Sequence, residues 1–139
     1  MMKKEIKTMY ELHELSINYM RELEFMQDEQ SFLEHLLSSH FLELSSEELF
    51  ETTRKLIKKL KEVEGMGVEL IDELTIFDQW MASSVHDEKD QSTTEISRKL
   101  RFFQKDFNHY VLKFKYVKKK IFSLIKEIMK SHKQKLLLK

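Results

Sequence analysis

The chain has no cysteine, no proline and only two glycines in 139 residues. Without cysteine neither a disulfide nor a thiolate metal site can form, which agrees with a reducing compartment. Without proline, and with glycine only at 65 and 67, little forces the backbone out of helix. Long apolar runs are missing too, and none approaches the roughly 20 residues of a membrane span. The start, Met1-Met2-Lys3-Lys4, is not followed by an apolar stretch. No signal peptide is therefore expected, and the expected location is cytoplasmic. There is no Gly-rich phosphate loop and no serine in a suggestive local context. Nor is there any Glu-x-x-His, the motif that di-iron bundles need twice. No catalytic residue is assigned, no cofactor is expected, and the chain reads as a non-enzyme.

What is present favours one helical domain spanning 1–139. Charged residues make up 35% of the chain, above the usual quarter, a level that could signal disorder. Ten Phe, four Tyr and abundant Leu and Ile oppose that reading, because they supply a core. A chain of this length can bury about 68% of its unfolded surface.

Three capping-box patterns punctuate the sequence: Thr8-x-x-Glu11, Ser45-x-x-Glu48 and Ser92-x-x-Glu95. Each opens a run whose apolar residues recur alternately at three and four. The first seam is Leu12, Ser16, Tyr19, Leu23, Met26, Gln30, Leu33, Leu37, His40, Leu44. The second is Leu49, Thr53, Leu56, Leu60, Val63, Gly67, Leu70, Leu74, Phe77, Met81. The third is Ile96, Leu100, Phe103, Phe107, Tyr110, Phe114, Val117, Ile121, Leu124, Ile128. A heptad held this long predicts coiled-coil-like packing. Phe50, Ile57, Ile71, Val85, Val111 and Ile125 are expected to widen the apolar face. The fold expected is all-α, an antiparallel bundle of three long helices at about 9–44, 46–86 and 93–134. The connections are a tight turn near Ser45-Ser46 and the polar stretch His86–Gln91. The second seam keeps its phase through Glu64-Gly65-Met66-Gly67, with Gly67 on the seam where it would admit a large neighbour such as Tyr110. A break at Gly65–Gly67 would instead give four helices.

Net charge is zero but unevenly spread. Residues 1–51 carry 4 basic and 12 acidic side chains, 52–91 carry 6 and 9, and 92–139 carry 14 and 3. Pairing between the acidic first helix and the basic third is the plain explanation, each exposed pair adding about 0–1 kcal/mol. The other explanation is a binding stripe. Arg98, Lys105, Lys119, Lys126 and Lys133 share a seven-residue spacing with a gap at Leu112, and lysines are interleaved with aromatics in Lys113–Phe122. Such a stripe suits nucleic acid or an anionic membrane.

Phe25, Phe32, Phe102, Tyr116 and Phe122 fall outside the narrow seams. They either complete a wide core or form an exposed patch, the mark of a protein partner or homo-oligomer. Phe102, Lys105, Tyr116, Lys119, Phe122 and Lys126 are accordingly the expected interaction surface, and Trp80 a core-edge anchor. Among six histidines, His40 and His132 should fall near one end of the bundle. With Glu43 or Glu48 they are candidate zinc ligands, set against an ordinary structural role.

The stretch Tyr19-Met20-Arg21-Glu22-Leu23-Glu24-Phe25-Met26-Gln27-Asp28-Glu29 resembles the first helix of a family of small, uncharacterised bacterial helical proteins. The shared elements are the aromatic at 19, Glu22-Leu23, Phe25 and Asp28-Glu29. The resemblance covers about eleven residues and implies a helical fold without implying an activity.

Overall fold

The computed structural model of the chain describes residues 8–84 and 90–138, the side chains at 84 and 90–92 excepted. Among the described residues all regular structure is helical: α1 (Met9–Ser39), α2 (Phe41–Leu44), α3 (Phe50–Ser84) and α4 (Asp90–Leu137). The protein is an all-α helical bundle.

The seams account for the burial. Each seam position is buried except Tyr19, His40 and Leu49, which are half-buried. The widening residues behave differently. Ile125 is buried, Val111 and Ile71 are half-buried, but Phe50 and Ile57 lie exposed, and Val85 is outside the described residues.

The helix boundaries depart from expectation at three places. The first is His40, where the amide bonds the Leu37 carbonyl at 3.3 Å, a tightened turn, and α2 follows as a single turn. Ser39 and Ser45 each donate a hydroxyl to the carbonyl four residues back, at 2.8 and 2.7 Å. Such back-bonding competes with regular helix and bends it. Ser45 therefore does not cap the next helix. The Ser46 carbonyl accepts from Leu49 and Phe50, and α3 starts at Phe50 rather than at 46. The third departure is α4, which starts at Asp90, so that Ser92 lies inside the helix instead of ahead of it. The first capping box has its expected bond: Glu11 N–H donates to Thr8 Oγ1 at 3.2 Å. The connection expected at His86–Gln91 falls mostly outside the described residues.

The fourth helix thus comes from the break at His40 and not from the glycines. α3 runs unbroken through Gly65 and Gly67, neither of which has a positive φ.

The residues gather into two compact units. The first joins Met1–Met26 with Met66–Tyr110. Leu12, Phe77, Met81, Ile96 and Leu100 form its hydrophobic cluster, with Met9, Leu15, Tyr19 and Trp80 against it. Tyr19 meets Phe103 and Phe107 edge-on, at ring-centre distances of 5.1 and 4.9 Å. The fully buried Ser16 donates its hydroxyl to Asp78, joining α1 to α3.

The second unit joins Gln27–Gly65 with Val111–Lys139. Gln30, a polar residue on the first seam, donates from Nε2 to the Leu60 carbonyl at 3.1 Å and lies 3.4 Å from both Glu34 and Glu64. Its Oε1 and Thr53 Oγ1 are buried polar atoms without a partner among the described residues. Beyond Ile128 the seam positions become Ser131 and Lys135, so the apolar register is lost, and residues 129–137 of α4 are exposed throughout.

Glu64 carries a pH dependence. A hydrogen bond shared with Glu34, then loss of hydration, then repulsion between the two carboxylates, holds its pKa above the ordinary 4.5. A carboxyl whose folded pKa is raised holds its proton more tightly folded than unfolded. Its contribution to stability is complete below about pH 4.5 and is lost as pH rises through the raised value. Glu64→Gln removes that loss. The variant is expected to be more stable than the parent at about pH 7, with the gap closing toward about pH 4 in urea titrations. A gap that is constant with pH would refute the assignment.

Candidate functional site

An open groove lies between α3 and α4 within the first unit. It is lined by Glu73, Ile76, Phe77, Trp80, Lys99, Phe102 and Phe103 and encloses about 510 Å³. Helical spacing builds it. Residues 73, 76 and 80 recur on one side of α3 beside the buried Phe77, and 99 and 102 do the same on α4 beside the buried Phe103. Phe77 and Phe103 form the floor, while Ile76 and Phe102 stand on the rim, 66% and 60% exposed.

Polar groups edge this apolar trough. The Lys99 ammonium sits 4.3 Å from the centre of the Trp80 ring, a cation–π contact, and Lys105 lies 5.6 Å from the Phe102 ring. Burial, and secondarily the Asp106 charge, raises the Glu73 pKa above the carboxylate norm. Ion pairs among the described residues join Arg54 to Glu51 and Lys118 to Glu29, and involve neither Glu73 nor Asp106.

In the second unit, Tyr116 is half exposed, with Lys59 of α3 and Lys120 of α4 at 5.3 and 5.5 Å from its ring centre. Phe122 lies toward α1 instead, 6.4 Å from the ring of Phe32. Lys119 and Lys126 are exposed on the outer face between these flanks.

The residues expected to form one surface on α4 are therefore divided. Phe102 and Tyr116 belong to the α3 flank, Phe122 to the α1 flank, and the lysines to the ridge between. The off-seam aromatics Phe25, Phe32, Phe102, Tyr116 and Phe122 are all exposed rather than drawn into a wide core. The charge split between α1 and α4 is bridged, among the described residues, by the Lys118–Glu29 pair alone. His40 is half-buried and His132 exposed, and no group of three His, Asp or Glu side chains converges on a metal position among the described residues.

Glu73, Ile76, Lys99 and Lys59 escape a reading of the sequence by seams, and Trp80 is a groove wall as well as a core-edge residue. Two signals point to the groove: an apolar residue immediately before the seam Phe at both 76 and 102, and Trp80 four residues after Ile76.

Fold and surface together define a helical bundle with an aromatic groove open to solvent. Among the described residues no helix is long and apolar enough to cross a membrane. Neither the protein-family models, nor the curated proteins, nor the solved structures include a match to this chain.

Proposed function

We propose that this chain is a non-enzymatic, antiparallel bundle of three long helices that acts through protein–protein contacts, with the α3–α4 groove as its principal docking surface. The single observation that carries the reading is the exposed apolar rim of that groove, Ile76 and Phe102, over a floor of buried aromatics. An apolar trough with a few polar groups at its edge is the usual form of a recognition groove for an amphipathic helix.

Residue pairings support the helix directions. Within the first unit, contacts step down α3 from 80 to 67 as they step up α4 from 99 to 110, an antiparallel pair. Within the second, 29 and 32 of α1 meet 118 and 122 of α4, a parallel pair.

A second reading rests on the lysines. Lys119, Lys120 and Lys126 on α4 belong to neither ion pair among the described residues, so a polyanion, nucleic acid or acidic lipid, is the other candidate.

A photo-crosslinking residue at position 102, with one at the exposed Glu14 position as control, separates these readings. Protein adducts specific to 102 are expected. Adducts confined to nucleic acid or lipid would transfer the function to the basic ridge, and no adduct above the control would end the docking proposal.

A further inference from the structure

The two units carry opposite charge. The first holds 9 basic and 14 acidic side chains, net −5, and the second 15 basic and 10 acidic, net +5. A neutral chain is thus divided into an acidic and a basic half.

The local features follow the same division. The groove of the first unit offers an aromatic floor and rim beside Glu73 and Asp106, two carboxylates that belong to neither of the described ion pairs. Its own Lys99 is placed over the Trp80 ring. The second unit offers the converse, an exposed aromatic, Tyr116, clamped between two lysines that likewise have no carboxylate partner among the described residues. Groove and knob are alike in apolar character, and the two lysines of the knob complement the two carboxylates beside the groove.

We infer that the occupant of the groove is a second copy of this chain, which inserts Tyr116 against Trp80 and Phe102 and brings Lys59 and Lys120 to Glu73 and Asp106. The inference rests on the docking role proposed for the groove and names its partner. Opposite potentials steer the two surfaces together and select the register, and the aromatic contact supplies the desolvated centre. If the groove of each copy receives the knob of the other, the assembly closes as a two-fold dimer. If the contact runs head to tail, it extends into longer oligomers.

Charge exchange on the full chain tests this. Sedimentation velocity from low to high micromolar concentration is expected to show reversible association that weakens with added salt. Lys59→Glu with Lys120→Glu should weaken it roughly tenfold or more, as should Glu73→Lys with Asp106→Lys. Mixing the two double variants should restore it, because each then meets its opposite. All four sites are exposed, and unchanged helical circular dichroism and melting establish that the variants fold.

A wild-type chain that stays monomeric at high micromolar concentration overturns the inference, and so does a mixture that fails to recover association. If that monomer nevertheless gives adducts from position 102 to a different protein, self-docking is wrong and the groove's role in protein contact stands.

Discussion

Phe107→Ala is expected to lower stability by about 3–5 kcal/mol. Phe107 is buried on α4, its ring edge-on to Tyr19 at 4.9 Å and stacked on Phe103 at 6.2 Å. Truncation removes the apolar area of a whole ring and leaves a cavity between α1 and α4 that close-packed neighbours cannot fill. Tyr19 also meets Phe103 edge-on at 5.1 Å, and its pKa is raised chiefly by burial and then by the Glu22 charge. Urea unfolding should show a lower midpoint with an unchanged slope, and the melting temperature should fall by roughly 10 °C or more. Phe102→Ala is the control. Its ring is 60% exposed, so the same truncation five residues away should change stability by no more than about 0.5 kcal/mol. Similar losses at the two positions would mean that the rim residue is as well covered as the core residue, and the groove would not exist as described.

The two glycines should respond in opposite directions. A Cβ at Gly67 would lie 2.9 Å from the Tyr110 hydroxyl oxygen and 3.2 and 3.3 Å from two ring carbons. Tyr110 is almost completely buried, so its ring cannot swing away. Gly67→Leu therefore forces several atoms into occupied space and is expected to destabilise by about 1–3 kcal/mol after the helical gain has been offset. At Gly65 no atom lies within 4 Å of the added carbon. Gly65→Ala should therefore stabilise by about 0.5–1 kcal/mol, through lower backbone entropy in the unfolded chain and better helix propensity. Thermal melts of both variants decide the matter. If Gly67→Leu melts at or above the parent, the close packing of α3 on Tyr110 is wrong.

The interior was readable from the amino-acid order because a seam is a periodic property of one segment. Of thirty positions spaced by three and four, 27 are buried, the polar Ser16, Gln30 and Thr53 among them. The same reading placed Gly67 opposite Tyr110, since both lie on seams. Helix ends were less legible. A serine hydroxyl can cap the following helix or bond back to the carbonyl four residues earlier. At Ser45 the second bond forms, and α3 begins later for it.

The groove was the least legible feature. Phe102 and Tyr116 could be named as off-seam aromatics, and so could Phe122. Their division between two flanks of α4 depends on which helix lies alongside, and neither the α3 residues Glu73 and Ile76 nor Lys59 bears any mark in its local sequence.

The chain by itself therefore determined that it would be helical, which residues would face inward, and that its termini would differ in charge. Those properties are set by propensity, by the 3.6-residue turn and by composition, all local to a segment. The tertiary structure alone decided that the spare aromatics stay exposed, that a trough opens between α3 and α4, and that most of the ridge lysines find no acidic neighbour. Coverage of a side chain depends on how closely a distant segment approaches it, and no local pattern encodes that distance.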